Sequence, residues 1–225
     1  MATARLLLVH GAWHGGWAWD PLLPHLAERG LAAEVVELPS TGGDGDLTAD
    51  AETVRGLLGG DDPVVAVGHS YGGMVTSEAC AGAPTVSHLV YVCAFQLDIG
   101  ESLLSAIGGQ MPSWTEIDEA TRRSRVAPAA AGKVFYGDVD ARLAETWTAR
   151  LTTQTMSSFE QPLTAAAWRD IPSTYVACTA DRAIPYPAQQ AMSTHAATVH
   201  TLDCSHSPFA SRPRELADIL ASVAP

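Results

Sequence analysis

Positive charge is what this chain has least of. Lys133 is its only lysine, 13 Lys and Arg stand against 25 Asp and Glu in 225 residues, and the formal net charge is −12. Binding a phosphate backbone needs clustered Lys and Arg, so the composition argues against nucleic acid and against anionic membranes as partners. Long apolar runs are missing as well. None approaches the roughly 20 residues of a membrane span, and Met1 to Val9 holds too short an apolar stretch for a signal peptide. The expectation is a cytoplasmic protein. Cysteine is scarce: the 4 present (Cys80, Cys93, Cys178, Cys204) form no C-x-x-C pair. In a chain of this size they are expected to be buried thiols acting as small apolar residues, not disulfides. There is no repeat and no low-complexity linker. What remains is a globular composition, 47% hydrophobic and 17% charged, long enough to bury the core of one α/β domain with an insertion.

Strands and helices alternate along the first part of the chain. Arg5 to His10 is a continuous apolar strand ending at Gly11, and Ala33 to Leu38 is a second. Pro63 to Val67 and Val86 to Val92 are the third and fourth. Between them lie helices that begin near Pro21, span Leu47 to Leu58 and follow Gly72. Such alternation implies βα units on a mostly parallel, doubly wound sheet. It lapses from about Gln96 to Trp168, a stretch rich in aromatic residues that shows helix-like segments and no convincing strand. It resumes with strands Ser173 to Cys178 and Thr198 to Leu202, a helix near Pro187 to Thr194, and a last helix from Arg214 to Val223. The expected architecture is one domain over 1–225, with a core of 1–95 and 169–225 and a helical cap inserted over about 96–168. A cap placed there would cover the carboxyl edge of the sheet, where open α/β folds bind ligands.

The chemistry centres on Gly68-His69-Ser70-Tyr71-Gly72, between a β-branched strand and a helix opening on small residues. A bare G-x-S-x-G can be a glycine-rich loop around an inert serine. With a strand before it and a helix after it, it is a sharp turn that exposes a nucleophile. Ser70 needs a base, and the base needs a carboxylate to orient it. Asp181 follows strand 173–178 and His206 follows strand 198–202, so acid and base stand on the sheet edge that displays Ser70. Asp98 and Asp203 compete for the acid role and lose on chain order; seven other histidines compete for the base role and lose on position. Backbone amides of Tyr71 and Ala12, with Trp13 as second choice to Ala12, are the candidate donors to an oxyanion. His10 and His14 lack an evident third ligand for a metal, and the site calls for no cofactor. Trp13, Trp114, Phe135, Trp147 and Phe159 are the candidate substrate contacts.

These residues also carry a resemblance. His10-Gly-Ala-Trp-His-Gly-Gly-Trp-Ala-Trp19 together with Gly-His-Ser-Tyr-Gly-Gly-Met74 resembles the α/β-hydrolase superfamily. Within it the chain looks like the branch of plant methyl esterases of the salicylate-binding type, hydroxynitrile lyases and small bacterial esterases. Cys178-Thr-Ala-Asp-Arg-Ala-Ile-Pro185 and Ser205-His-Ser-Pro-Phe209 look like the acid and histidine blocks of the bacterial esterases. The resemblance covers nearly the whole chain, least well over the cap. It implies the fold with a shortened N-terminus, a Ser70–Asp181–His206 triad, and a compact cap over an apolar pocket. The lyases of this branch carry threonine where Gly11 stands and lysine where Ser207 stands, and both are absent here. The expected activity is therefore hydrolysis of small, mainly apolar carboxylic esters, aromatic acyl groups included. Cyanohydrin cleavage and a ligand-binding or tailoring role are the alternatives, and a homodimer is compatible with all of them.

Overall fold

The computed structural model describes residues 4–224. In chain order the strands are β1 (Arg5–Val9), β2 (Ala33–Val36), β3 (Val64–His69), β4 (Val86–Val92), β5 (Thr115–Asp118), β6 (Arg123–Val126), β7 (Gln154–Thr155), β8 (Ser173–Cys178) and β9 (Thr198–Leu202). The helices are α1 (Leu23–Ala27), α2 (Leu47–Gly56), α3 (Gly72–Ala79), α4 (Leu103–Ala106), α5 (Pro128–Phe135), α6 (Ala141–Thr148), α7 (Met156–Glu160), α8 (Tyr186–Met192), α9 (Pro208–Ser211) and α10 (Pro213–Val223). No described helix is long and apolar enough to cross a membrane.

Six strands form one sheet in the order β2-β1-β3-β4-β8-β9, and every described pairing in it is parallel. A parallel sheet covered on both faces must bury both sides of its central strands, which removes any alternation from their sequences. The pattern is met: β3 and β8 are buried at every position, whereas the edge strand β9 exposes four of its five residues in part or in full. From β1 the chain runs outward to β2 and then returns past β1 to β3. The connections thus leave β1 and β3 in opposite directions, and the crevice between their carboxyl ends is where such sheets bind ligands. The loops at that crevice are 10–17 and the turn around Ser70.

The excursion between β4 and β8 departs in one respect from the helical insertion expected. It holds α4 to α7, but also a three-stranded antiparallel sheet, β5-β6-β7. These strands read TEID, RSRV and QT, too short and too polar to give a period-2 signal. β7 is stitched to the core instead of standing free. The Gly42 amide donates to Thr153 O at 2.8 Å and Thr155 N to Ser40 O at 3.2 Å. All four cysteines are free and buried, and burial pushes the Cys80 and Cys93 thiols up to about 12. They behave as the apolar packing residues expected of them.

Candidate active site

Ser70 sits at the carboxyl end of β3 with φ +53°, a left-handed conformation that costs a non-glycine residue on the order of 1–3 kcal/mol. The turn is possible only because its neighbours lack side chains. A Cβ on Gly68 would lie 2.6 Å from Gly72 O, and one on Gly72 would lie 2.6 Å from both Val9 O and His10 O. Behind the turn, Ser70 O accepts from Gly73 N and Phe95 N, both at 3.1 Å, so α3 starts directly at the serine. Among the described residues only three other non-glycine residues have positive φ: Trp13 (+62°), Cys93 (+36°) and Arg122 (+52°). Arg122 belongs to the β5–β6 turn; Trp13 and Cys93 follow β1 and β4 and flank the serine. Strain is thus concentrated on one edge of the sheet.

His206 and Asp181 meet on that edge. His206 Nδ1–H donates to Asp181 Oδ2 at 2.7 Å, with both side chains buried. This bond fixes the tautomer and leaves the Nε2 lone pair free. Asp181 is held from its other side: Oδ1 accepts from Ala183 N (2.7 Å) and Ile184 N (2.9 Å). Oδ2 also accepts from Gln189 Nε2 at 2.9 Å. Gln189 is fully buried; its Oε1 takes the Cys178 amide at 2.9 Å and its Nε2 reaches Ile184 O at 2.7 Å. Sequence reasoning missed Gln189, because a glutamine beside a second glutamine in the short helical run YPAQQAM carries no signal of burial. The rival acids stand elsewhere. Asp98 pairs with Arg169 at 2.6 Å on the surface, which holds its carboxyl below the usual range, and Asp203 accepts from Thr179 Oγ1 at 2.9 Å.

His69 turns away from Ser70, as the elbow requires, and its ring lies 4.6 Å from that of His206. Its Nε2–H donates to His206 O at 2.8 Å, and the Cys93 thiol donates to the same carbonyl at 3.3 Å. The ligand-type atoms of His69, Cys93 and His206 lie within 4.8 Å of one another, and this shared carbonyl accounts for their convergence. Burial drives the His69 ring well below its ordinary pKa, so it stays neutral beside His206. His10 and His14, unlike His69, whose Nδ1 has no partner, are engaged at both ring nitrogens. His10 donates from Nδ1 to Gly11 O (2.9 Å) and accepts at Nε2 from Leu38 N (3.2 Å). His14 donates from Nδ1 to Ala12 O (2.8 Å) and accepts at Nε2 from Tyr136 OH (2.9 Å). With no free ring nitrogen, neither has a lone pair for a metal. Burial lowers His14 to about 3, which also removes it as a base.

The amides of Ala12 and Tyr71 are the two candidate donors to an oxyanion that the sequence singled out. Both residues are buried, at 4% and 0% exposure, and neither amide donates to a protein acceptor among the described residues. Trp13 N, the second choice, is engaged with Gln154 Oε1 at 3.4 Å. Ala12, Ser70 and Tyr71 line one narrow apolar cavity of ≈ 40 Å³, closed by Trp13, Trp114, Phe135 and Phe159. A wider groove of ≈ 620 Å³ adjoins it, and Trp114, Phe95 and Ile184 belong to the walls of both. Trp147 is the correction. It packs against Trp17 (5.4 Å), Tyr136 (5.6 Å) and Phe209 (6.1 Å) behind the site and does not line the cavity. Aromatic residues of an insertion point to either of its faces, and sequence does not say which. Ser70 Oγ and His206 Nε2 have no hydrogen-bond partner among the described residues.

Comparison with known proteins identifies the family and the fold. The chain is 28% identical to a carbendazim hydrolyzing esterase of Nocardioides sp., covering 98% of this chain and 99% of that one. It is 26% identical to Methylesterase 9 of Arabidopsis thaliana, with 97% of each covered. A pyrethroid hydrolase from Sphingobium faniae superposes with a TM-score of 0.84 at 24% identity, over 97% of this chain and 96% of that one, and shares the fold. The model of the alpha/beta hydrolase family matches residues 6–219, and the chain belongs to that family.

Proposed function

We infer that this chain is a cofactor-independent serine carboxylesterase acting on small, mainly apolar esters. The observation that carries the reading is Ser70 on a strained, glycine-enclosed turn. It shares a sheet edge with a buried His206–Asp181 pair and opens into a cavity with two unengaged amides. Ser70 Oγ attacks the ester carbonyl while His206 Nε2 takes its proton. The tetrahedral oxyanion lies against the amides of Ala12 and Tyr71, at the N-terminus of α3 where negative charge is favoured. Collapse breaks the bond to the alkoxide, which leaves with the proton from His206. Water then attacks the acyl-enzyme with His206 again as base; the acid departs and Ser70 regains its proton. Asp181 stays ionised throughout and stabilises the imidazolium.

The esterase names of the relatives support hydrolysis, and so do the two positions where lyases of the resembling branch differ. A Cβ at Gly11 would come 2.8 Å from His69 Nδ1 and 2.9 Å from Ser70 Cβ, so a threonine has no room. Ser207 is fully buried with an unpartnered Oγ, and a lysine there would place a charge in the core. The walls of the cavity suit small apolar groups, and a benzoate-like acyl group would extend into the adjoining groove. The test is an ester panel of varied acyl and alcohol size run beside Ser70→Ala. Ester turnover that vanishes in the variant supports the reading. Cyanide release from mandelonitrile without ester turnover, or undiminished hydrolysis by Ser70→Ala, would overturn it.

A further inference from the structure

Behind the two unengaged amides lies a buried polar chain that the reaction above does not use. Asp50 on α2 is fully buried. Its carboxylate accepts from Ser40 N (2.9 Å), from Ser40 Oγ and from Tyr71 OH (2.7 Å). Ser40 Oγ in turn accepts from Gln154 Nε2 at 2.6 Å. The amide of Gln154, fully buried on β7, is used at both ends. Nε2 also donates to Ser158 Oγ (2.7 Å), and Oε1 accepts from Thr41 Oγ1 (2.7 Å) and from Trp13 N (3.4 Å). Trp13 N–H can only donate, so the orientation of the Gln154 amide is fixed and the whole chain has one polarity.

The ends of this chain are the two oxyanion candidates. Tyr71 carries one amide and is tied through its hydroxyl to Asp50. Trp13 directly follows Ala12, which carries the other, and Trp13 is held in its left-handed conformation by the cap at three atoms. Its amide meets Gln154, its carbonyl accepts from Thr152 N at 3.0 Å, and its Nε1 donates to Ser124 Oγ at 3.1 Å. A packing role does not explain a carboxylate here. Apolar side chains of similar volume would fill the space without the cost of desolvating a charge. Hydrogen bonds that orient donors toward a developing charge are where such a cost returns a benefit in rate.

We propose that Asp50, Ser40 and Gln154 are positioning residues for the oxyanion site, a relay through which the cap holds the amides of Ala12 and Tyr71 at their working spacing. This rests on the acyl-transfer reading above. It makes the cap part of the transition-state machinery as well as a wall for substrate. The relay begins at Gln154, whose loss frees Trp13 N and Ser40 Oγ together.

The test compares Gln154→Leu and Tyr71→Phe with wild type. The readouts are kcat and KM for p-nitrophenyl acetate and inhibition by an alkylboronic acid, which forms a tetrahedral adduct on a serine. Loss of one oxyanion donor costs about 10²–10³-fold in kcat, and displacing a donor costs part of that. Gln154→Leu should therefore lower kcat by about 10–100-fold with KM within about twofold. Boronate affinity should weaken in parallel. Tyr71→Phe, which removes one hydroxyl and keeps the ring, should shift both in the same direction by a smaller factor. It decides the question if Gln154→Leu does not fold. Unchanged kcat, a rise in KM alone, or undiminished boronate affinity would overturn the relay. Undiminished hydrolysis by Ser70→Ala would instead overturn the acyl-transfer reading.

Discussion

Replacing Gln189 with leucine tests whether the acid of the site is held as the geometry requires. Leucine nearly matches glutamine in size, so the change leaves no large cavity and removes only the polar contacts. One of these is a hydrogen bond to a charged acceptor, Nε2 to Asp181 Oδ2 at 2.9 Å, of a kind that contributes about 1.5–3 kcal/mol. The change also orphans the buried Cys178 amide, which now donates to Gln189 Oε1 at 2.9 Å, at a further cost of about 1–3 kcal/mol. The loss of folding stability should therefore be roughly 3–5 kcal/mol. Catalysis should fall less than stability does, because Asp181 keeps the amides of Ala183 and Ile184 on Oδ1. At 1.36 kcal/mol per tenfold, transmission of the lost bond to the transition state gives a kcat reduction of about 10-fold, with an upper bound of about 100-fold. The assay is initial-rate hydrolysis of p-nitrophenyl acetate well below the unfolding midpoint, with thermal unfolding followed by circular dichroism. A variant that unfolds earlier but retains kcat within twofold would refute the reasoning. Gln189 would then support the fold and not the orientation of Asp181.

Four further expectations follow from particular contacts. Gly11→Ala forces a Cβ to within 2.8 Å of His69 Nδ1 and 2.9 Å of Ser70 Cβ; displacing the serine should cut kcat/KM by about 100-fold, measured as ester hydrolysis. Trp147→Phe should lower the unfolding midpoint, by about 1–2 kcal/mol of stability, and leave the ratio of short to bulky ester turnover unchanged. Trp114→Ala, at the wall between cavity and groove, should shift that ratio toward bulky esters. Burial raises the Asp50 carboxyl above its ordinary value, so ionising it in the folded state costs stability. Its favourable contribution is fully present below the unfolded pKa of about 3.9 and lost as pH rises through the folded value. The stability of Asp50→Asn relative to wild type should therefore improve between pH 4 and pH 7. An unfolding series that shows the opposite trend would contradict this.

The fold and the chemical residues were legible for different physical reasons. β1 and β3 announce themselves because a parallel strand buried on both faces is built mainly of apolar residues, and β8 and β9 occupy the residues expected of them. Ser70, Asp181 and His206 stand out because each follows a strand, and the backbone constraint on the elbow is written in Gly68 and Gly72. The supporting polar residues had no comparable signature. Gln189 and Gln154 lie in segments whose composition looks exposed. Asp50 did leave a trace: with Leu47, Ala51 and Val54 it forms the buried face of α2, at helical spacing, and an acid in such a stripe marks a buried carboxylate. The strands of the cap were invisible because β5 and β6 are short and polar, and β7 is two residues whose pairing to β6 and to the 40–45 loop is a long-range contact that no local pattern reports.

The most direct measurement mixes the protein with p-nitrophenyl acetate, quenches within the first turnover and locates the acyl group by peptide mass spectrometry. The account predicts a burst of nitrophenol, an acetyl group on Ser70, and loss of both in Ser70→Ala. Acetylation of another residue with turnover persisting in Ser70→Ala would contradict it.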